Sequence, residues 1–372
     1  MAIDDRIINE CQSMPPHGGN LTRAAAEFGL SPRDFLDFSA NINPLGLSRR
    51  VREAVEDNLW QISHYPDPDC RRLKRALADH LGVDERCLLV GNGAAELIYL
   101  LARVVARGRA LIPAPTFSEY ALAVRAAGGE VAYVFTRPSA GFALPWRDIY
   151  RRLGEGDALF LCNPNNPTGT LIPRRELDVL LDMATARRVV VIVDEAFMDF
   201  VDDPGEYTLF PLAGRQPNLI LVYSLTKILA IPGLRLGALV APPELVDRLD
   251  RLRDPWSVNA LAQVAGVAGL QDREYLRQTR AVVSREREFL YRGLSALPGL
   301  HPFPGAANFL LVDIGATGYT AAEMVQKMGS KGILLRNCAN FPGLGQRYIR
   351  LAVRPREENR RLLESLGEIV LK

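Results

Sequence analysis

The chain is expected to be an α/β protein: a mainly parallel sheet covered by helices on both faces, followed by a smaller domain of helices and short strands. Three observations predict this. From Cys87 to about Pro242, short apolar runs that read as buried strands alternate with stretches of helical periodicity, as a doubly covered parallel sheet requires. After Pro242 the rhythm changes to helix from Glu244 through the charged Arg273 to Leu294 region. Short strands follow at Phe309 to Val312, Ile333 to Leu335 and Tyr348 to Val353, with a last helix near Glu357 to Leu366. Hydrophobic residues make up 48% of the 372, ample for such a core. The expected division is an N-terminal arm over residues 1–45 that joins the smaller domain, a large domain over 46–243 and a small domain over 244–372, with substrate in the cleft between them.

A net charge of +2 is close to balance, so neither nucleic acid nor a membrane surface is expected as a partner. The start, MAIDDRIINECQ, lacks a basic region followed by an apolar run, and no apolar stretch approaches bilayer length, so a cytoplasmic location is expected. Five cysteines (Cys11, Cys70, Cys87, Cys162, Cys338) are odd in number and contain no Cys-x-x-Cys pair. They read as reduced packing residues, and the four histidines show no metal-binding spacing.

In chain order, the arm carries His17-Gly18-Gly19-Asn20 and then Asp37-Phe38-Ser39-Ala40-Asn41-Ile42-Asn43-Pro44. Gly18 and Gly19 let backbone approach a ligand closely, while His17 and Asn41 supply polar groups. A flexible arm and a turn fit equally well. Ser48 caps a helix with Val51, Ala54, Val55 and Leu59 on one face, and Leu73, Leu77 and Leu81 repeat that pattern before Gly82 ends the next helix. Between the two helices, His64-Tyr65-Pro66-Asp67 is by itself a proline turn.

The Cys87 to Val90 strand leads into Gly91-Asn92-Gly93-Ala94-Ala95-Glu96 and a helix through Leu97, Leu100, Leu101 and Val104. A glycine-rich turn at a helix N-terminus presents free N–H groups to a phosphate, with Ala94 and Ala95 as the candidate donors. A dinucleotide fingerprint would need a third glycine and a ribose-binding acid at the next strand, and both are absent. Phe117, beyond the Ala110 to Ile112 strand, is either a ring-stacking face or a core residue.

Ala158 to Asn163 runs into Pro164-Asn165-Asn166-Pro167-Thr168-Gly169, and Val189 to Val193 runs into Asp194-Glu195-Ala196-Phe197. An unpaired carboxylate ending an apolar strand costs several kcal/mol, so Asp194 calls for a cationic partner, and a protonated pyridine nitrogen is one. Asn166 could donate its amide to the phenolate oxygen of the same ring. Singly, these are a proline turn and a strand-end cap.

Leu219 to Tyr223 then leads to Ser224-Leu225-Thr226-Lys227, and the Pro232-Gly233 turn and Arg235 precede the short strand Leu236 to Val240. A lysine withheld from water loses proton affinity and can condense with an aldehyde. Ser224 and Arg235 supply a hydroxyl and a guanidinium fork, groups that hold a phosphate. Ser-x-x-Lys alone suits a solvated loop as well. The three motifs in this order and spacing make coincidence the poorer account, and pyridoxal 5'-phosphate is the expected cofactor.

NPNNPTG, DEAF and SLTK with Arg235 resemble the fold-type I pyridoxal phosphate enzymes, specifically the branch holding histidinol-phosphate aminotransferase and threonine-phosphate decarboxylase. The resemblance runs from about His17 to the C-terminus. It implies a fold-type I transferase fold, with a mainly parallel seven-stranded sheet in the large domain and a smaller α+β domain. It also implies Lys227 and Asp194 as catalytic residues, with Ala94, Ala95, Phe117, Asn166, Ser224 and Arg235 around the cofactor. Tyr65 would reach the cofactor phosphate of the other subunit of a homodimer. The arm would fold over the substrate as a lid, and His17, Gly18, Asn41, Arg336, Arg350 and Arg354 would contact it.

His-Gly-Gly-Asn resembles the decarboxylase arm and is atypical of the histidinol-phosphate enzyme. Arg354 stands where the latter usually has glycine, and Phe197 where aminotransferases of this group commonly have tyrosine. On a strand, Arg350 and Arg354 would point to one face, toward anions or solvent. The resemblance implies decarboxylation of L-threonine O-3-phosphate to (R)-1-amino-2-propanol O-2-phosphate for cobalamin assembly, with a phosphorylated amino acid as substrate. The alternative is histidinol-phosphate aminotransferase or a related transaminase. If Arg350 pinned the carboxylate in the ring plane, the Cα proton would leave. If His17, Arg336 and Arg354 instead anchor a substrate phosphate, the carboxylate can stand upright and CO2 departs. A cofactor-sensing regulator is not expected, because the short stretch before His17 leaves no room for a DNA-binding domain.

Overall fold

A seven-stranded sheet forms the largest layer of the computed structural model, which describes residues 17–371. Cys11 and the MAIDDRIINECQ start lie outside the described residues. The described chain enters through α1 (Leu21–Phe28), β1 (Leu36–Asp37), α2 (Arg49–Asp57) and α3 (Arg71–Leu81). Ser48 caps α2 by accepting from the Val51 N–H, and Gly82 closes α3 in the left-handed region.

Next come β2 (Leu88–Gly91), α4 (Ala94–Val105), β3 (Arg109–Ala114), α5 (Glu119–Ala126), β4 (Glu130–Phe135), α6 (Trp146–Arg152) and β5 (Ala158–Cys162). α7 (Arg174–Ala186), β6 (Val190–Asp194), β7 (Leu219–Ser224), α8 (Leu225–Ile228) and β8 (Gly237–Val240) complete the layer. The strand order is β2-β8-β7-β6-β5-β3-β4. All pairings are parallel except those of β8, which runs antiparallel to both β2 and β7. Residues 225–236 join β7 to β8 through the four-residue α8 and the Pro232-Gly233 turn, without a helix long enough to pack across the sheet as a parallel crossover usually does.

Side chains alternate along the central strands, so each strand feeds two cores. Leu159, Leu161, Val191, Val193, Leu219, Leu221 and Tyr223 pack on one face, and Ala158, Phe160, Ile192, Ile220 and Val222 on the other. Both faces being buried, the strands read as continuous apolar runs. Their polar residues therefore appear where the strands end, at Asp194 and Ser224, along the carboxyl edge where open α/β sheets hold ligands.

α9 (Pro243–Asp250), α10 (Ala260–Leu270) and the long α11 (Arg273–Ser295) lead to β9 (His301–Pro302), β10 (Phe309–Asp313), α12 (Ala321–Gly329), β11 (Ile333–Leu334), β12 (Arg336–Asn337), β13 (Tyr348–Ala352) and α13 (Arg356–Val370). β12, β13, β10 and β9 form a second, four-stranded sheet over a core that includes Phe38, Leu290, Leu310, Leu351 and Leu362. β1 pairs in parallel with β11, and the Ala352 N–H donates to Phe38 O at 2.9 Å.

One expectation is corrected here. β13 ends at Ala352, so Arg354 does not share a strand face with Arg350. Pro355 precedes α13 and forces the chain out of the ladder. The residue paired across the strands with Arg350 is Arg336, Cα to Cα on β12.

Cys70, Cys87, Cys162 and Cys338 are buried free thiols. No described helix is long and apolar enough to cross a membrane. Asn43, 1% exposed, staples three parts of the chain. Its Nδ2 donates to Ile228 O at 2.7 Å and to Thr279 Oγ1 on α11 at 2.8 Å, and its backbone N–H donates to Lys227 O at 3.1 Å. Asn43→Ala strands the buried Ile228 carbonyl and Thr279 hydroxyl. Urea unfolding is expected to show a loss of about 1–3 kcal/mol, and a loss below about 0.5 kcal/mol would contradict the staple.

Candidate active site

A cavity of about 390 Å³ opens at the carboxyl edge of the large sheet. It brings together His17, Gly18, Asn41, Ala94, Ala95, Phe117, Asn166, Asp194, Ser224, Lys227, Arg235, Arg336 and Arg350, all singled out from the sequence. Tyr65 and Arg354 lie outside its lining.

One corner is built for an anion. Gly93 has φ +84°, and a Cβ there would stand 2.6 Å from Arg235 Nη2, so glycine lets the guanidinium lie over the start of α4. Ala94 and Ala95 open that helix, where backbone N–H groups have no partner within the helix. Arg235 is itself held at φ +59°, a conformation costing on the order of 1–3 kcal/mol for a non-glycine residue. Ser224 Oγ lies 2.8 Å from Thr226 Oγ1, which adds a second hydroxyl beside the corner.

Lys227 sits in α8, directly after β7. Burial pushes its ammonium down to about 8, the Arg350 and Arg235 charges push the same way, and Asp194 opposes them. Asp194 ends β6, buried. Burial raises its carboxyl above the usual range, against the Tyr120 hydroxyl donating to Oδ2 at 2.7 Å, the Ala196 N–H donating to Oδ1 at 3.0 Å and the Lys227 charge. No described Lys, Arg or His forms an ion pair with it, so among the described residues the Lys227 charge acts on this carboxylate without direct pairing. Tyr120 escaped the sequence reading, although its place three residues after Phe117 in the first turn of α5 sets the two rings edge to face at 5.6 Å.

The far wall is cationic. Arg350 Nη1 donates to Asn166 Oδ1 at 2.5 Å and Nη2 to Ser39 O at 2.9 Å, while its Nε–H is buried with no partner. Burial lowers this guanidinium to about 10. Because Asn166 Oδ1 accepts from a donor-only group, its Nδ2 is the side free to donate. Arg336, buried on the neighbouring strand, donates to Asn337 O at 2.5 Å and Asn340 Oδ1 at 2.8 Å. Asn41 Oδ1 is a buried acceptor with no partner. Phe197 packs edge to face on Phe309 at 5.0 Å.

His17 Nε2 lies 2.8 Å from Glu119 Oε1. The backbone around it is seated by glycine, since a Cβ at Gly18 would meet Ser39 O at 2.2 Å. Glu119, Ser39 and Thr226 line the cavity without having been singled out, because nothing local in the chain marks them. The expectation for Arg354 meets a competing partner: its Nε donates to Glu358 Oε2 at 2.7 Å, one turn into α13. Tyr65 is 80% exposed and packs at a tilt of 33° on Trp256 with centroids 4.7 Å apart.

Among the described residues, Lys227, Arg235 and Asp194 form no ion pair within bonding distance, and the N-terminus of α4 opens beside them. These residues fit pyridoxal phosphate, an aldehyde whose ring carries a phosphate arm and a basic nitrogen.

Residues 33–366 match the family described as aminotransferase class I and II. Threonine-phosphate decarboxylase of Salmonella typhimurium is 40% identical over 355 residues, covering 95% of this chain and 96% of that protein. Histidinol-phosphate aminotransferase of Methanopyrus kandleri is 32% identical, covering 99% and 96%. An adenosylcobalamin biosynthesis bifunctional protein of Leptospira interrogans is 33% identical over 96% of this chain and 41% of its own length. The crystal structure of L-threonine-O-3-phosphate decarboxylase from Porphyromonas gingivalis superposes with a TM-score of 0.79 at 30% identity, covering 90% of this chain and 99% of that one.

The lowered proton affinity of Lys227 has a kinetic signature. Below about pH 8 its amine is protonated and unreactive, so capture of pyridoxal phosphate by the cofactor-free protein should rise through a midpoint near 8. Lys227→Ala should abolish both this capture and the visible absorbance that accompanies it. A midpoint near the ordinary lysine value of 10.5 would contradict the account.

Proposed function

The chain belongs to the aminotransferase class I and II family, and from that premise we propose that it decarboxylates L-threonine O-3-phosphate. The products are (R)-1-amino-2-propanol O-2-phosphate and CO2, and the step serves cobalamin assembly in the cytoplasm, a reading supported by the relatives just described. The observation that carries it is the pairing of Arg336 with Arg350 across adjacent strands in one cavity, with His17 on the arm nearby. Two buried like charges on facing positions repel, and a ligand bearing two anionic groups removes that repulsion. A phosphorylated amino acid bears two such groups apart from its amine.

Pyridoxal phosphate, when bound, supplies an aldehyde for amines and a protonated ring that accepts the electron pair of a bond broken at Cα. Lys227 Nζ supplies the tethering amine. Asp194, oriented by Tyr120 and the Ala196 N–H, keeps a proton on the ring nitrogen. Asn166 Nδ2 would donate to the ring oxygen, and Phe117, which lines the same cavity, would lie against the ring. The N–H groups of Ala94 and Ala95, with Ser224 and Arg235, hold the cofactor phosphate, and Thr226 backs Ser224.

His17, Gly18 and Arg336 hold the substrate phosphate. Arg350 Nη1 and Nη2 each make one bond, while its buried Nε–H makes none to the described residues and would be the donor turned to the carboxylate, with Asn41 also lining the cavity. A single directed bond would hold that carboxylate at one point and leave it free to turn. Overall, the Cα to carboxylate bond is replaced by a Cα–H bond as CO2 leaves, and Lys227 Nζ would deliver that proton to Cα. Arg354, held by Glu358, takes no part. Phe197 removes a hydroxyl that would bond the ring oxygen.

The protein also acts as a homodimer in this reading. Leu59, Trp60, Ile62, Tyr65 and Trp256 are exposed apolar side chains close in sequence or in contact, a surface suited to a second copy. Tyr65 then reaches the partner's cofactor phosphate.

Incubating the cofactor-loaded protein with threonine phosphate should release CO2, while histidinol phosphate with 2-oxoglutarate should yield no glutamate. Glutamate without CO2 would overturn the decarboxylase reading in favour of a transaminase. Light scattering should report twice the 41.1 kDa chain mass, and a monomer would remove Tyr65 from the site.

A further inference from the structure

His17, Glu119 and Tyr99 form a line of contacts at the cavity that the roles above leave unexplained. Glu119 Oε1 is 2.8 Å from His17 Nε2, and its Oε2 accepts from the Tyr99 hydroxyl at 2.9 Å. The line runs from the arm through the first turn of α5 to the middle of α4, so it joins the arm to the large sheet's helices. The Glu119 side chain is only 14% exposed. A bare carboxylate so placed would repel an anionic substrate from a cavity that Lys227, Arg235, Arg336 and Arg350 make attractive to anions. Burial pushes the Glu119 carboxyl up, but hydrogen bonds from His17 and Tyr99 outweigh it and leave the group below the usual carboxylate range.

An ionised carboxylate only accepts hydrogen bonds. The proton in the 2.8 Å contact therefore belongs to His17 Nε2, and the ring nitrogen still open is Nδ1. The arm backbone under the ring is held as well, by the Gly19 N–H donating to Ser39 Oγ at 2.8 Å. A ring that meets phosphate through Nδ1 must carry a proton there too, and the resulting cation lies against the Glu119 carboxylate.

We infer that Glu119 is a positioning residue for the substrate phosphate: acting through His17, it fixes the imidazole with Nε2–H turned to itself and Nδ1 left for the phosphate. This deepens the proposed reaction and rests on it. Tyr99 holds the second carboxylate oxygen, so Glu119 does not swing into the anion site.

A double-mutant cycle tests this with the cofactor-loaded protein. Parent, Glu119→Gln, His17→Ala and the double variant are compared by KM and kcat for CO2 release from threonine phosphate. The affinity of inorganic phosphate, measured by calorimetry, is the second readout. Glu119→Gln keeps the shape and removes the charge, so KM should rise and phosphate affinity fall about tenfold, with kcat within about twofold of the parent. In the His17→Ala background the same change should alter either quantity by less than about twofold, since the group through which Glu119 acts is gone. Equal effects in both backgrounds, or a fall in kcat at unchanged KM, would overturn the inference. Should Glu119→Gln fold poorly, Tyr99→Phe loosens the carboxylate more gently and should shift KM the same way by about threefold, an unchanged KM counting against the inference. If the parent releases no CO2, the proposed reaction falls, and the phosphate calorimetry still decides whether His17 and Glu119 act as a unit.

Discussion

The arrangement depends on charges that the polypeptide leaves without opposite partners. Lys227, Arg235 and Arg350 face one cavity and none forms an ion pair among the described residues, while the buried Asp194 accepts from a phenol and an amide N–H and feels the Lys227 charge. Isolated buried charge costs several kcal/mol, and a fold keeps it only where ligands complete the circuit. Burial drives Lys227 and Arg350 toward their neutral forms and Asp194 toward its protonated one. All three shifts share their largest cause, the removal of water, and neighbouring arginine charges add to it at Lys227 and Arg350. The same shortage that costs stability brings the Lys227 amine down to about 8, so it gives up its proton far more readily than an ordinary lysine and reaches the neutral state in which it reacts.

The scaffold earns this by alternation. A sheet buried on both faces has no place for polar side chains along its strands, so they gather where the strands stop. Asp194, Ser224 and, a few residues past β5, Asn166 all appear at one edge for that reason. Asn43 then bonds the lysine turn to α11, and Ser39 bonds the arm to Arg350. Segments distant in the chain thus share hydrogen bonds at the rim of a single cavity, and displacing the arm would disturb the guanidinium that it helps to hold.

Much of this was legible in the residues. Apolar runs announced the central strands within a residue or two, Ser48 and Gly82 marked helix ends correctly, and the Ser-x-x-Lys, Asp-Glu and Asn-Pro-Thr-Gly stretches do converge on one cavity. Local rules failed where the partner was remote. The spacing of Arg350 and Arg354 suggested a shared face, but Pro355 turned the chain away and Glu358 took the second guanidinium. Tyr120 and Glu119 sit in a helix whose pattern looks ordinary, and their importance comes from Asp194 and His17, each more than seventy residues away.

By itself the amino-acid order determined the class of fold, the positions of strands and caps, and the residue types able to carry an aldehyde cofactor. Those properties follow from short-range periodicity and from chemistry that each side chain carries wherever it lies. Only the folded chain decided which cations face each other, because Arg336 meets Arg350 through strand register rather than through spacing along one strand. It likewise decided which carboxylates are left bare and which are matched, since desolvation depends on everything packed around a group, and neighbours in space need not be neighbours in the chain.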